Sequence, residues 1–496
     1  MKMTGKMKKN VAALVTGFLA ACMMTAQAAL FYVDGDWSGT ETGGTSTPYN
    51  TIAEAVTAAN AVSGASSLYF ASGNYRDVAN GGFEDYSAGG GASGGGYNLT
   101  QAISIYGGYA GWQGGTTFDW TTRNPRSTTI ELKSASSRAF SYTGSGTPVF
   151  DGLTFQNANT TGDGGAIAVP ETYGRGLSLN NCLFTNNTTT GSGGAAYLRN
   201  QAQSLVTNCD FRGNSAGVDG GALIFHAQYA DTSQIQNCTF TNNTATSYGG
   251  AARTSTSSGS PVIIGSVFAG NSAGKDGGGL YPDNLITIRQ SDFHNNSAPL
   301  GGAAIGGHRG TYAVGRINIE NSLIYGNTGS YAVQSEGGTA GTYTIDMVNC
   351  TVTGNPGGGV RASREYGDIP MRIRNSIIVS NGAYGVYQSE AAEVAVLGYN
   401  DVFGNATGDY YQAVADINSR SADPSFMNPA LSNYRLLLGS VAIDNGISVA
   451  GITTDLQGWP RPLGLGFDMG AFESPEPAAL SLFLFAGGWL LRRRRR

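Results

Sequence analysis

From about residue 150 onward, apolar and polar positions alternate in short bursts that recur with a period near 27. One apolar slot returns as Phe155, Phe184, Phe211, Phe240, Phe268, Phe293, Ile324, Val352, Ile378 and Phe403, at steps of 25 to 31 residues. Two positions earlier stands a small residue: Cys182, Cys209, Cys238, Ser266, Ser291, Ser322, Cys350 or Ser376. The position between them varies, and alternation at period two predicts a β-strand. Three residues after the slot comes an asparagine, at 187, 214, 243, 271, 296, 327, 355 and 381. A second asparagine precedes the small residue at 181, 208, 237, 321, 349, 375 and 400. A glycine pair follows, from Gly164-Gly165 to Gly357-Gly358, and a new apolar strand such as Ala222-Leu223-Ile224 restarts after it. Glycine supplies positive φ at sharp corners, and asparagine tolerates it while bonding nearby backbone.

Short strands, sharp corners and this period predict an all-β solenoid, a parallel β-helix with three strands per coil. Coils ~4.8 Å apart stack equivalent side chains, so the Phe and Ile column forms a continuous core and the asparagines satisfy corner backbone across rungs. A propeller or leucine-rich repeat would need a Trp-Asp or leucine signature that this repeat lacks. A solenoid exposes sheet edges at its ends and needs caps. At the front, Phe31 to Gly35 is a short strand, and Thr51 with Glu54 forms a capping box opening a helix from Ile52 to Val62. Ile52, Val56 and Ala59 give that helix a weakly apolar face suited to lying across the first coil.

The segments Leu68–Arg76 and Ile103–Tyr109 resemble the opening coils of secreted pectate-lyase-like proteins, which implies a right-handed β-helix. The Phe-x-x-Asn and Gly-Gly-Ala-(Ile/Leu) pair, over about residues 150–360, is similar to the repeat of the polymorphic outer-membrane-protein family. That family ends in a membrane β-barrel. Only 93 residues follow Phe403, without ten-residue alternating strands, so autotransport is not expected. Residues 398–473, with Ala422-Asp423-Pro424, Ala442-Ile443-Asp444-Asn445-Gly446 and Asp468-Met469-Gly470-Ala471-Phe472-Glu473 in order, resemble the choice-of-anchor Q module. The expected organisation is therefore a signal peptide 1–28, an N-terminal cap and first coils 29–100, repeats 101–397, a cap 398–474 and a sorting tag 475–496.

The ends read as address labels. A basic start, an apolar run from Val11 to Ala21 and the small-x-small Ala26-Gln27-Ala28 point to export with cleavage after Ala28. The rival Leu19-Ala20-Ala21-Cys22 resembles a lipoprotein box and would leave a lipidated Cys22. At the other end Pro475-Glu476-Pro477, an apolar run from Ala478 to Leu491 and Arg492–Arg496 resemble the PEP-CTERM tag of Gram-negative bacteria. That resemblance implies transient insertion of the tail in the inner membrane, then removal by an exosortase. A helix over the run spans ~21 Å against a hydrocarbon core of ~30 Å, which suits a stalled transmembrane segment better than a permanent anchor. A snorkelling tail anchor is the alternative.

Composition changes the picture in one respect. The two ends carry nine of the 29 basic and one of the 34 acidic residues, leaving 20 against 33 and a net charge of −13. Such a body repels nucleic acid, so none is expected as partner. A lyase needs a base near a uronate and usually calcium on clustered acids, and a hydrolase needs paired carboxylates. Asp163, Asp219 and Asp276 share one slot before the glycine pairs, but Ser192 and Tyr248 fill the coils between them, so we read them as corner-turn residues. Of His226, His294 and His308, the last sits in Gly306-Gly307-His308-Arg309-Gly310 without the aspartate pairs a polygalacturonase would show. Asp444, Asp455, Asp468 and Glu473 are the acids that could gather Ca²⁺. They lack calcium-loop spacing, and we read them as turn residues. Cys182, Cys209 and Cys238 lie one coil apart, within reach of a disulfide, and a free-thiol stack is the favoured reading. No catalytic, cofactor or metal residue is assigned. The expectation is a non-catalytic exported β-helix protein of a Gram-negative outer surface or extracellular matrix, contacting extracellular polysaccharide or cell-surface glycan. A polysaccharide lyase or glycoside hydrolase is the alternative.

Overall fold

The computed structural model describes residues 28–475 except 77–95, 133–137, 171–174, 201–203, 228–232, 257–259, 308–313, 338–341, 365–370 and 390–394. Its core is the expected right-handed parallel β-helix. Within the described residues three sheets of 14, 12 and 17 strands run along the rod, and every coil-to-coil pairing is parallel. One coil shows the plan: Ser178–Asn180 joins the first sheet, Leu183–Thr185 the second, and Thr188–Thr189 with Ala196–Asn200 the third. In the coils up to Leu280–Pro282 the third strand is thus in two pieces, because the glycine corner falls within it, whereas Ser297–Gly307 and Thr328–Gly337 each run through unbroken.

Stacking follows the register. Phe155, Phe184, Phe211, Phe240, Phe268 and Phe293 are fully buried. Successive rings lie 4.6–5.0 Å apart and within 13° of parallel. The column continues as Ile324, Val352 and Ile378, and there the structure corrects the sequence reading. Ile378 pairs with Val402, and Val379 with Phe403, so Val402 is the core residue while Phe403 faces out at 37% exposure. Asn400 shifts with it. Its Oδ1 accepts the Ser376 N–H at 2.9 Å, which places it in the small-residue slot, and Tyr399 (φ 57°) takes the corner.

The two asparagine sets do different work. Asn181, Asn208, Asn237, Asn321, Asn349 and Asn375 are left-handed, with φ between 47° and 53°. They turn the chain from the first sheet into the second, where a short polar side chain tolerates that conformation. Asn187, Asn214, Asn243, Asn271, Asn296, Asn327, Asn355 and Asn381 are instead buried ladder members. Each Oδ1 from Asn214 on accepts both the N–H and the Nδ2 of the preceding rung, as in Asn214 to Asn243 at 2.9 Å for both. Each Nδ2 also donates to a core carbonyl, as Asn243 does to Phe211 at 3.0 Å. The ladder runs on through Asn405 and ends on Asp409 Oδ1, 2.9 Å away, whose carboxylate only accepts and so closes the series.

At the front the helix Ile52–Ala61 buries Ile52, Ala55, Val56 and Ala59 in the main core. Thr51 Oγ1 accepts the Glu54 N–H at 3.3 Å. At the back, Arg461 is fully buried and reaches from the closing segment to Asn321 Oδ1 (3.1 Å), Glu473 Oε1 (2.6 Å) and two carbonyls. Among the described residues no helix is long and apolar enough to cross a membrane, and the run Ala478–Leu491 lies outside them.

Asp401, in the last strand of the second sheet, is fully buried. Its Oδ1 accepts the Ala422 N–H at 3.1 Å, and Oδ2 has no partner. Burial, reinforced by Asp409 and Asp423 against Ala422 N–H and Arg420, pushes its carboxyl up to about 6. The folded state therefore holds a proton that the unfolded chain, with an ordinary value near ~3.9, releases. The stability this group contributes is complete below pH ~4 and is lost as pH rises through about 6. Asp401→Asn is expected to melt higher than the natural chain at pH 7.5, by at most ~3 kcal/mol, with the gap closing toward pH 4. Parallel melting curves across that range, with a constant gap, would refute the assignment.

Candidate functional site

Alternation along the third sheet sets one column of side chains outside. Leu198, Phe225 and Thr254 point to the core, and between them Tyr197, Ile224, Arg253 and Tyr281 pair strand to strand. Leu280 pairs with Ile305, so the column continues through Gly306 to Gln334, Arg361, Tyr387 and Tyr411. Period-two alternation after each apolar restart, as in Leu280-Tyr281, Val360-Arg361 and Val386-Tyr387, is the signal that could have found it. The column itself holds no histidine or carboxylate, the residue types that mark hydrolase or lyase chemistry in a sequence.

The column has two arginine centres. The first is Arg253, whose guanidinium lies 5.7 Å from the Tyr281 ring and 6.0 Å from Tyr248. It is saturated by carboxylates. Asp283 takes Nε and Nη2 at 2.9 Å each, and Asp219 takes Nη1 at 2.5 Å. Burial opposes its charge, but those two acids outweigh it and hold the guanidinium firmly protonated. The second is Arg361, 5.1 Å from Tyr387 and 5.6 Å from Tyr331. Tyr387 and Tyr411 stack at 4.5 Å and 5°, and Tyr384 lies 5.2 Å from Tyr411. Burial pushes the Tyr331 hydroxyl up to about 12, so it stays a neutral donor.

The slot-sharing aspartates hold corners. Asp163 Oδ1 accepts Ser192 N–H (2.8 Å) and Asp219 Oδ1 accepts Tyr248 N–H (3.0 Å), each on the next coil. Asp276 Oδ1 accepts both Gly277 N–H (2.7 Å) and Gly302 N–H (2.6 Å). It also lies over Gly306, where a Cβ would come within 1.8 Å of it, so this carboxylate fills the gap in the outer column. The back-cap acids are engaged likewise. Asp455 accepts from Gln457, Trp459 and Glu473 N–H, Asp468 from Asp444 and Ser474, and Asp444 from Gly466. Among the described residues no three His, Cys, Asp or Glu side chains stand close enough to hold a metal ion.

His294 stacks on Tyr325 at 5.0 Å with Nδ1 2.9 Å from Asp292, on the second sheet and away from the column. His226 sits half-buried on the third sheet, level with Ser255. His308 lies outside the described residues. Cys182, Cys209, Cys238 and Cys350 are free and buried. The first three form one stack, Cys182 N–H and Cys209 N–H each reaching the next sulfur at 3.4 Å. Burial raises the Cys209 thiol well above its ordinary range, which leaves it inert. Of the residues expected to direct processing, Ala28 and Pro475 are the first and last described, and Glu476 and Pro477 lie outside the described residues.

A stretch of 146 residues is 35% identical to the probable outer membrane protein pmp7 of Chlamydia pneumoniae, covering 27% of this chain and 16% of that protein. The chain therefore spans only a small part of that relative. Pectate lyase Pel9A superimposes with a TM-score of 0.48 at 16% identity, over 90% of this chain and 97% of that one. The A-module of mannuronan C-5 epimerase AlgE4 from Azotobacter vinelandii gives 0.47 at 16% identity, over 79% and 97%. The sequence model of the right-handed β-helix region matches residues 120–279 and 224–419. Over more than half its length, then, the chain belongs to the right-handed β-helix family.

Proposed function

We propose that this chain is a non-catalytic, exported surface protein that contacts polysaccharide through the outer face of its third sheet. The observation that carries the reading is the Tyr–Arg column, in which Tyr197, Arg253, Tyr281, Arg361, Tyr387 and Tyr411 recur along one line of paired strand positions while the nearby carboxylates are engaged in turns and ion pairs. Aromatic rings offer flat apolar area with a polar tip, and recurring along the rod they suit a repeating polymer. The name of the chlamydial relative supports a surface location. Cleavage after Ala28 starts the route, the choice-of-anchor Q-like segment 398–474 closes the rod, and Pro475, Glu476 and Pro477 hand the tail to an exosortase. The destination is the outer surface or extracellular matrix of a Gram-negative bacterium.

The secreted protein, passed over acidic and neutral polysaccharides, is expected to be retained without new chain ends. Unsaturated or reducing ends would overturn this reading in favour of a lyase or glycosidase. Asp276 and His308 would then be the first residues to replace.

A further inference from the structure

Arg253 and Arg361 occupy the same outer column, each between two tyrosines, yet only Arg253 is paired with acids. Arg361 Nε is buried with no hydrogen-bond partner, and no carboxylate of the described residues forms an ion pair with it. On the adjacent strand, at the paired position, Gln334 is fully buried. Its Nε2 donates to Glu336 Oε1 at 2.8 Å, while its Oε1 has no partner. An unanswered cationic donor and an unanswered neutral acceptor thus belong to residues whose backbones are one strand spacing, ~4.8 Å, apart. Buried polar groups are ordinarily paired, so two such atoms on neighbouring strands, beneath the partly exposed Arg361, are a place for something else to complete.

We propose that Arg361 and Gln334 form a binding site for an anionic sugar unit of a polysaccharide, resting on the surface-contact reading above. The anion takes the role at Arg361 that Asp219 and Asp283 take at Arg253. A ring hydroxyl donates to Gln334 Oε1, and the C–H face of the sugar packs on Tyr387. A carboxylate or a sulfate meets the first requirement, because both present oxygens that accept from the guanidinium edge. The net negative charge of the body does not oppose this. Acids beyond the Debye length of ~8 Å are screened at physiological salt. Nearer by, Glu336 is held by Gln334 Nε2 and offsets part of the Arg361 charge, so the anion is drawn by the guanidinium edge itself and not by a net positive field.

The test uses the full secreted chain with polygalacturonate, dextran sulfate and neutral dextran as probes, read by affinity electrophoresis. Arg361→Gln is expected to weaken binding to polygalacturonate, dextran sulfate or both about tenfold, leaving neutral dextran unchanged. Arg289→Gln, which removes the same charge from a half-exposed residue paired with Glu320, is the control and should change binding less than about twofold. Arg361→Gln gives up the guanidinium contacts with Tyr331 and Tyr387 and no ion pair, so its melting curve is recorded beside the parent's and binding is compared where both are folded. Equal weakening by both substitutions would reduce the effect to diffuse charge and overturn the site. Neutral-glycan retention that Arg361→Gln leaves intact, with no polyanion binding, would overturn the site while sparing the surface-contact reading. New chain ends would overturn that reading itself.

Discussion

Replacing Asn243 by alanine is expected to destabilise the protein by about 3–5 kcal/mol, while replacing its neighbour Asn242 by glycine changes stability by less than about 0.5 kcal/mol. The two residues are chemically identical and adjacent, so only their places in the coil differ. Asn243 is fully buried. Its loss removes the acceptor for the Asn214 N–H and Nδ2, and the donor to the Phe211 carbonyl. Each buried group left unpaired costs about 1–3 kcal/mol, and at least two are stranded. Asn242 is exposed at φ 54°, and the neighbouring coils place Gly213 and Gly270 at the same step with φ 62° and 65°. Glycine adopts that conformation without strain, so the substitution exchanges one tolerated corner residue for another. Urea unfolding of the two variants decides the matter. Equal losses would mean that the ladder contributes no more than the corner does.

The same pair shows what could be read from the chain and what could not. The coil was legible because a solenoid stacks like upon like: Phe184, Phe211 and Phe240 repeat in sequence because their rings meet face to face in space. The division between turning and laddering asparagines was not, since both sets are short amides at corners and their difference is one of backbone angle. The misplacement at Phe403 has a similar origin. Val402 and Phe403 are both apolar, and only Gly404 and Asn405, at the offsets of corner and ladder, identify which faces inward. The outer column was legible in part. Alternation puts Arg253 and Arg361 outside, but the sequence does not say which one is neutralised, because Asp219 and Asp283 reach Arg253 from 34 and 30 residues away. That difference, which makes Arg361 the candidate site, exists only once the coils are stacked.

Gly250→Ala is expected to break the rod at one rung, costing about 3 kcal/mol or more and turning a single melting transition into two. The first glycine of its pair, Gly249, is left-handed at φ 67°, but Gly250 is glycine for another reason. A Cβ there would lie 2.2 Å from the Gly278 carbonyl oxygen and 2.5 Å from the Ser272 carbonyl carbon, both backbone of the next coil. Backbone held by parallel ladders on either side cannot rotate away, so the coils must part. Gly250 N–H would then lose its bond to the Gly277 oxygen, now 2.9 Å. In a solenoid each coil is stabilised chiefly by its two neighbours, so a weakened interface lets the segments on either side unfold separately, with new protease cleavage near residues 250–280. Gly265→Asn is the matched control. Gly265 is left-handed at φ 59°, in the slot where Asn237 and Asn321 stand in other coils, and the nearest atom to an added Cβ is the movable Asn237 Oδ1 at 2.6 Å. That variant should melt within about 0.5 kcal/mol of the parent. If Gly250→Ala also melted as the parent does, in one transition, close coil-to-coil contact would not be what demands glycine there. The second glycine of every pair would then need a different explanation.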